Sequence, residues 1–232
     1  MTLLAQVRRA LAVVAHPDDE SFGLGAVLGY LVHNGAEVSV LCFTRGEAST
    51  LHGRPGDLEV VRAAEFRAAA DVLGVKHATL LSRRDSALTH VPLSDLVAEV
   101  KSVMSRVDPS HLIVFDVGGV TGHSDHNRVT QAALAAAVDL DVAVIAWTVP
   151  EQVAAALNAQ LGTSFVGRPA AEIDEVLVVD RGRQWRAIAA HASQSGDNPV
   201  LRQRLRLLGD KEYLKVLRGG TETEAVPVPD AR

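Results

Sequence analysis

The stretch Ala12–Glu20, AVVAHPDDE, decides how this sequence is interpreted. An apolar run typical of a buried β-strand ends at His16. One imidazole and three carboxylates then fall within five residues, at the point where a strand would meet a helix. So much negative charge in one place is unfavourable without a balancing positive charge. Because His and Asp are common nitrogen and oxygen ligands of divalent metals, a metal ion is the simplest candidate for that charge.

A second His/Asp cluster follows another apolar run, over a hundred residues further on. Residues 111–117, HLIVFDV, have the composition of a strand, and the glycine-rich stretch 118–122 leads into His123-Ser124-Asp125-His126. In doubly wound sheets the first and fourth strands lie side by side at the topological switch point, where strand ends open into a ligand crevice. We therefore expect the two clusters to meet and form one site.

Strand-like and helix-like segments alternate along the whole chain. The pattern predicts later strands at residues 37–43, 77–81, 111–116, 142–149 and 175–180, and helices at 22–34, 58–73, 93–107, 184–192 and 201–217. Alternation of this kind with apolar strands predicts an α/β, single-domain, Rossmann-like three-layer fold with a mostly parallel sheet covered on both faces. The length of 232 residues suits one such domain, which we place at residues 1–218. The aperiodic tail, 219–232, is expected to be disordered.

Composition excludes several classes of protein. The formal net charge of −5 argues against a nucleic-acid-binding surface, which requires a basic face. The alternating Arg202, Arg204 and Arg206 are interpreted as a solvated helix face. The single cysteine, Cys42, allows no intramolecular disulfide and suits a cytoplasmic location. The first residues resemble neither a signal peptide nor a membrane span. The aliphatic composition is compatible with a homo-oligomer.

The first cluster also allows a simpler interpretation than a metal site. Asp18 or Asp19 could cap the following helix, with His16 as a core histidine. That interpretation leaves two further acids unexplained, and it ignores the second cluster on the neighbouring strand.

Two other kinds of site fit poorly. A dinucleotide site needs a Gly-x-Gly-x-x-Gly turn directly after the strand, whereas Gly23, Gly25 and Gly29 come too late, and the acids would repel a phosphate. No Gly-x-Ser-x-Gly elbow is present to support a serine nucleophile.

Taken together, the motifs resemble the LmbE-like, or PIG-L, family of zinc-dependent N-acetylglucosaminyl deacetylases. The resemblance extends from the first strand to about residue 215, and the combination of the two His/Asp clusters is specific, although each alone would be weak. The residues that carry it are HPDDE at 16–20, TRGE at 44–47, Arg62 with Glu65, Leu73-Gly74, GHSDH at 122–126 and HASQ at 191–194.

The resemblance implies a ligand set for zinc, or for a substitute such as Fe²⁺: His16, Asp19 and His126. Three protein ligands and an open position for water are typical of a catalytic zinc. The implied catalytic residues are Asp18 as general base, His123 to stabilise or protonate the tetrahedral intermediate, and Asp125 to orient His123.

The implied activity is removal of an acetyl or other acyl group from an N-acetylglucosamine-type amino sugar or conjugate by metal-activated water. The alternatives are an amidase acting on another N-acyl compound, such as a thiol conjugate or acylated metabolite, and a non-catalytic sugar-binding homologue. The intact Asp18 and His123 argue against the last, because a pure binder needs no base.

Substrate-binding residues are the weaker part of the resemblance: Arg45, Glu47, Arg62 and Asp85. An intrahelical pair between Arg62 and Glu65 would contribute only a few tenths of a kcal/mol, and exposed loop acids are usually just solvated. The chain also departs from the family pattern at Thr121, where some members have a tyrosine that assists the intermediate. A threonine does not reach as far.

Overall fold

The computed structural model describes residues 2–50 and 58–220. Its strands are β1 Arg9–Val14, β2 Glu37–Thr44, β3 His77–Arg83, β4 His111–Phe115, β5 Ala143–Thr148, β6 Glu175–Val178 and β7 Lys211–Arg218. Its α-helices are α1 Asp19–Phe22, α2 Gly25–His33, α3 Leu58–Leu73, α4 Leu93–Val107, α5 Ser124–Leu140, α6 Glu151–Leu161, α7 Gly182–Ala190, α8 Ala192–Ser195 and α9 Pro199–Leu208. Short 3₁₀ turns cover Leu88–His90 and Ala170–Glu172.

Within the described residues the strands form one seven-stranded sheet in the order β3-β2-β1-β4-β5-β7-β6. Strands β1 to β5 pair in parallel, whereas β7 is antiparallel to both β5 and β6. The predicted mostly parallel sheet is therefore confirmed. Strand β1 pairs directly with β4, with Ala10 opposite His111 and Ala12 opposite Ile113. The carboxyl ends of these two strands, where the two clusters begin, consequently share one edge of the sheet.

The sheet is buried on both faces, which explains why its strands are apolar throughout rather than alternating. Successive side chains of β1 point to opposite faces. Ala12 and Val14 pack into one hydrophobic cluster, and Leu11 and Val13 pack into the other. These two cores, one on each side of the sheet, make the predicted three-layer α/β fold.

The predicted helix at 201–217 is wrong in its second half. Helix α9 ends at Leu208, Gly209 follows with a φ of 60°, and the next residues form strand β7. In the sequence KEYLKVLR, Glu212 and Leu214 are both fully buried. Because β7 finds hydrogen-bonding partners on both sides, tertiary pairing overrides the helical pattern of the sequence.

The predicted helix at 22–34 corresponds to α2, which begins at Gly25, and the separate short helix α1 ends at Phe22. The break falls at Gly23, where an added Cβ would lie 2.4 Å from Cζ of Phe115. The aromatic ring that underlies the site therefore approaches the backbone too closely for any larger residue.

Three further predictions concern exposure and the ends of the chain. Arg204 is only 5% exposed, so it is not part of the solvated face that the sequence predicted. In the part of the chain that the structure describes, no helix has the length and apolar character to cross a bilayer. Residues 221–232, most of the predicted disordered tail, lie outside the described residues, and the domain boundary at 218 stays a prediction.

Candidate metal centre and its cavity

The two predicted clusters lie together at the carboxyl ends of β1 and β4. His16 and Asp19 occupy the turn from β1 into α1, and His126 lies in the first turn of α5. Nδ1 of His16 lies 3.1 Å from Nε2 of His126, which in turn lies 3.1 Å from Oδ1 of Asp19. Nδ1 of His16 is also 3.6 Å from Oδ2 of Asp19. All three side chains are buried, each under 10% exposed.

These separations suit three ligands of one tetrahedral ion. Zinc bonds to histidine nitrogen and carboxylate oxygen are about 2.0–2.2 Å long, which sets neighbouring ligand atoms roughly 3.3–3.5 Å apart. The observed separations are close to that range: 3.1 Å between the two histidine nitrogens, 3.1 Å from His126 to Oδ1 of Asp19, and 3.6 Å from His16 to the other oxygen, Oδ2, of the same carboxylate.

The hydrogen-bond partners of His126 determine which of its nitrogens is free. Its Nδ1 lies 3.2 Å from the carbonyl oxygen of Gly119 and 2.9 Å from Oγ1 of Thr121. A carbonyl oxygen only accepts, so Nδ1 carries the hydrogen and Nε2 presents a lone pair toward Asp19. A ring nitrogen that donates to a backbone carbonyl is the usual support of a metal-ligating histidine.

His16 is oriented in the corresponding way by two carboxylates. Its Nε2 lies 3.1 Å from Oδ1 of Asp85 and 3.6 Å from Oδ2 of Asp125, in contacts that are close but not well aligned as hydrogen bonds. Ionised carboxylates only accept, which places the hydrogen on Nε2 and the lone pair on Nδ1. Oδ2 of Asp19 accepts the backbone N–H groups of Ala15 (3.2 Å) and His16 (2.9 Å), so Oδ1 is left to face His126.

Three lone pairs therefore converge with no hydrogen among them. Such an arrangement is repulsive unless a cation or an added proton lies between the atoms. Although burial alone would lower it, the pKa of His16 is raised well above its usual value by Asp125, Asp19 and Asp85. The donor set and its surroundings thus fit a divalent metal ion.

Two other groupings of ligand-type residues occur among the described residues. Nitrogens of His16, His123 and His126 lie within 4.8 Å of one another, and so do donor atoms of His16, Asp85 and Asp125. In the second grouping, both carboxylates lie on the Nε2 side of His16, as supporting groups would. We favour Asp19 over His123 as the third ligand because its carboxylate contacts both histidines, with Oδ1 3.1 Å from His126 and Oδ2 3.6 Å from His16.

His123 caps the N-terminus of α5 and borders both of the cavities described below. Its Nδ1 accepts the backbone N–H of Asp125 at 3.2 Å, so in the neutral ring the hydrogen is on Nε2. Burial and the nearby His16 and His126 lower the pKa of His123, which favours the neutral form.

Asp125 contacts His123 through its backbone N–H, not through its carboxylate as predicted. The carboxylate of Asp125 accepts the N–H of Leu88 at 3.2 Å and faces His16, whereas His123 is held by the Asp125 backbone. Asp125 is fully buried and lines neither of the two cavities described below.

Asp18 lies next to the candidate metal ligand Asp19 in the chain and contacts Arg62. Its φ of 121° is in a region that only glycine adopts easily, and such strain is typical of functional sites. The Arg62 guanidinium donates to Oδ2 of Asp18 at 2.9 Å, to the carbonyl of Gly46 at 2.7 Å and to the carbonyl of Pro17. Burial raises the pKa of the Asp18 carboxyl to about 6, and the charge of Arg62 opposes part of that rise.

The predicted substrate-binding residues have other partners. Arg62 is 3% exposed and donates to three oxygens of the protein, so its contacts position Asp18. Asp85 is buried against His16 and accepts the N–H of Ala48. Burial alone would raise the pKa of Asp85, but the contact with His16 lowers it to about 2. Both residues also border the polar cavity described below, so their binding of a substrate stays a prediction beside these supporting contacts.

The other two predicted substrate residues, Glu47 and Arg45, are less buried than Arg62 and Asp85. Glu47 is exposed and accepts the backbone N–H of Asp85 at 2.9 Å. Arg45 is half-buried, and its Nε finds no hydrogen-bond partner among the described residues. Neither observation assigns these residues to a substrate.

Several residues with evident roles were not found from the sequence. Thr121 contacts Nδ1 of His126 through its hydroxyl and also borders the apolar cavity described below. Glu20 is fully buried, and its Oε1 lies 2.6 Å from Nε2 of His191, which ties the first cluster to the HASQ motif. Gln194 borders the cavity and accepts from the Ser49 hydroxyl at 2.7 Å. The sequence contains these motifs but does not indicate which residues pair.

Two cavities meet at the candidate metal centre. A polar one of about 310 Å³ is bordered by Ser49, Arg62, Asp85 and Gln194, and a mostly apolar one of about 660 Å³ is bordered by Phe22, Phe115 and Phe165. Asp18, Asp19 and His123 border both. A doubly wound α/β fold with a His/Asp centre at the carboxyl ends of its strands is characteristic of ligand-binding and catalytic sites.

Comparison with known proteins identifies the family. Residues 11–137 match the PIG-L family, described as GlcNAc-PI de-N-acetylase. The chain is 30% identical, over 95% of its length and 91% of the relative's, to the 1D-myo-inositol 2-acetamido-2-deoxy-alpha-D-glucopyranoside deacetylase of Nakamurella multipartita. This chain belongs to the PIG-L, or LmbE-like, family, as its motifs predict.

Other matches are less complete. A deacetylase of the same name from Kineococcus radiotolerans is 33% identical over 58% of this chain, and the match spans only 46% of that relative. Among solved structures, N,N'-diacetylchitobiose deacetylase from Pyrococcus horikoshii superposes with a TM-score of 0.68 at 20% identity, covering 91% of this chain and 84% of the other. At that identity the likeness establishes the fold.

Proposed function

We propose that this chain is a metal-dependent N-deacylase that hydrolyses the amide of an N-acetylglucosamine-type amino sugar or its conjugate. The observation that carries the proposal is the convergence of lone pairs from His16, Asp19 and His126 beside a cavity that Asp18 and His123 border. Family membership and the names of the relatives support the same reaction class.

His16, Asp19 and His126 would hold the ion, and Zn²⁺ suits their mixed nitrogen and oxygen donors, with Fe²⁺ as a substitute. When bound, a divalent cation here supplies a Lewis acid that polarises the amide carbonyl and lowers the pKa of water to ~7. Thr121 and the Gly119 carbonyl orient His126, and the carboxylates of Asp85 and Asp125 orient His16.

Asp18 is the general base. Its carboxylate accepts a proton from the attacking water and then delivers it to the amine nitrogen as the C–N bond breaks. Arg62 holds the carboxylate in place through Oδ2, so the other oxygen, Oδ1, is the one that exchanges the proton. The strained backbone of Asp18 is maintained by the same guanidinium, through the carbonyl of Pro17.

His123 stabilises the negative charge that develops on the carbonyl oxygen. Its Nδ1 is occupied by the Asp125 N–H, so the neutral ring donates from Nε2 toward the cavity. Loss of one such donor typically costs ~10²–10³ in kcat.

The polar cavity supplies the site for the sugar. Ser49 and Gln194 offer neutral hydrogen-bonding groups there, and a volume of about 310 Å³ is at the small end of ligand pockets. We further propose a small-molecule substrate and a cytoplasmic location. The single buried Cys42 agrees with a reducing compartment. A homo-oligomer remains a prediction.

The test combines metal analysis with a substrate panel. Purified protein is dialysed against Zn²⁺, its metal content is measured, and amine release is followed from N-acetylglucosamine, its inositol and malate glycosides, and N-acetyl amino acids. We expect one ion per chain and metal-dependent release from the amino sugars. Release from N-acetyl amino acids alone would favour the amidase alternative, and sugar binding without release would favour the non-catalytic homologue.

A further inference from the structure

Arg204 is a buried cation on helix α9. It is 5% exposed and forms part of the wall of the apolar cavity beside the candidate metal centre. Its guanidinium carbon lies 5.1 Å from the centre of the Trp147 ring, a cation–π contact that holds the group in place.

The guanidinium has few polar partners for a group so deeply buried. Its Nη2 donates to the carbonyl of Phe22, and its Nε has no hydrogen-bond partner among the described residues. Among residues 2–50 and 58–220, no carboxylate lies within ion-pair distance of Arg204. The nearby carboxylate of Glu212 is already bound by Arg181 and by the indole N–H of Trp147.

An uncompensated buried charge is costly, so buried arginines are normally paired. Burial lowers the pKa of Arg204 to about 10 despite the negative charge of Glu212 nearby. The guanidinium has five N–H donors in a planar fork that matches a carboxylate. One donor is used by the carbonyl of Phe22, so the guanidinium has donors left for a ligand.

The cavity around Arg204 has the character of an acyl pocket. Its volume is about 660 Å³, within the range that drug-sized ligands occupy and far more than the two carbons of an acetyl group need. Aromatic and aliphatic side chains line it: Phe22, Phe115, Phe165, Val200 and Leu201.

The position of this cavity relates it to the reacting amide. Asp18 and His123 border both cavities, so the scissile amide lies where the two meet. The polar cavity suits the sugar hydroxyls, which leaves the apolar one for the acyl group. Phe165, Val200, Leu201 and Arg204 lie outside the matched family segment, residues 11–137, so this pocket is not specified by that segment.

We propose that, besides acetyl, this enzyme removes longer acyl groups that end in an anion, as in the half-amide of a dicarboxylic acid, with Arg204 binding the distal carboxylate. This inference rests on the proposed function and specifies its substrate. Hydrolysis adds the oxygen of water to the acyl carbon and transfers a proton to the leaving nitrogen. The products are a free dicarboxylate and the sugar amine.

The test compares matched acyl groups on glucosamine. Amine release is measured for N-acetyl, N-butanoyl and N-succinyl glucosamine, and for the N-pentanoyl and N-glutaryl pair. The wild type should show a higher kcat/KM on each half-amide than on the neutral acyl group of equal length. Arg204→Met should lower that ratio roughly 10- to 100-fold, the usual effect of losing a hydrogen bond to a charged group. Arg204→Lys should recover part of it, and the exposed Arg206→Met is the matched control.

A binding measurement separates this inference from the proposed function. Succinate and glutarate, with butanoate and pentanoate as controls, are titrated calorimetrically into zinc-loaded wild type and Arg204→Met. Preferential binding of the dicarboxylates that Arg204→Met abolishes would support the anion subsite even if no amino sugar were hydrolysed. Equal binding of both series, or equal losses on all substrates in Arg204→Met, would overturn it.

The anion could also belong to the leaving sugar. N-acetylglucosamine 1-phosphate and 6-phosphate test that arrangement. An Arg204-dependent preference for a sugar phosphate, with none for the half-amides, would refute the assignment of this cavity to the acyl group.

Discussion

Replacement of Arg62 by methionine tests whether this arginine positions the base or binds the substrate. Methionine is similar in length but removes the charge and every donor. The side chain of Arg62 is 4% exposed and that of Asp18 is 16% exposed, so the pair is largely shielded from water. The change leaves Asp18 without its cation and removes the donor from the carbonyls of Pro17 and Gly46.

The expected loss of stability follows from this burial. Removing one partner of a buried ion pair typically costs ~3–5 kcal/mol, and water in the adjoining cavity favours the lower end. For a chain of this length, roughly 3 kcal/mol corresponds to a fall in Tm of about 6–12 °C. Asp18 would also relax from its strained φ of 121°. A displacement of about 1 Å from the reactive geometry costs roughly 10² in rate.

The assay measures Tm by circular dichroism and steady-state kinetics on the best amino-sugar substrate. Arg62→Met should lose kcat with little change in KM, because Asp18 acts in the chemical step. Arg67→Met, an exposed arginine on the same helix, is the matched control and should change neither. A large rise in KM with kcat intact would refute this reasoning and restore Arg62 as a substrate contact.

Three further substitutions separate the roles of the remaining groups. Asp18→Asn should lower kcat by ~10²–10⁴ while metal content is retained, and loss of the ion would instead make Asp18 a ligand. His123→Ala should retain the metal and lower kcat by ~10²–10³; a metal-free product would favour the three-histidine grouping. Asp85→Asn should weaken metal affinity about 10- to 100-fold, as measured by competition with a chelating indicator, whereas a raised KM alone would make Asp85 a substrate contact.

The fold could be predicted from the sequence wherever one pattern dominated. Helices α3 and α4 fall on the predicted residues, and the adjacency of β1 and β4 follows from the general topology of doubly wound sheets. Strand β7 could not be predicted, because its register depends on pairing with β5 and β6. Alternate arginines in α9 gave no sign that Arg204 would be buried against Trp147.

For the site too, the sequence predicted some features and not others. Clusters at the ends of neighbouring strands predicted that the two His/Asp motifs would meet, and the family resemblance implied His16, Asp19 and His126 as the ligands. The roles of charged side chains depend on their three-dimensional partners, which spacing does not determine. The sequence predicted Arg62 and Asp85 at the substrate, but it gave no sign of their contacts with Asp18 and His16.

A crystal structure of the zinc-soaked protein with anomalous data at the zinc edge tests the central claim most directly. We predict one peak, bonded at about 2.0–2.2 Å to Nδ1 of His16, Oδ1 of Asp19 and Nε2 of His126. Asp18 and His123 should lie near the ion without bonding to it. A peak bonded to His123 in place of Asp19, or no peak between β1 and α5, would contradict the account.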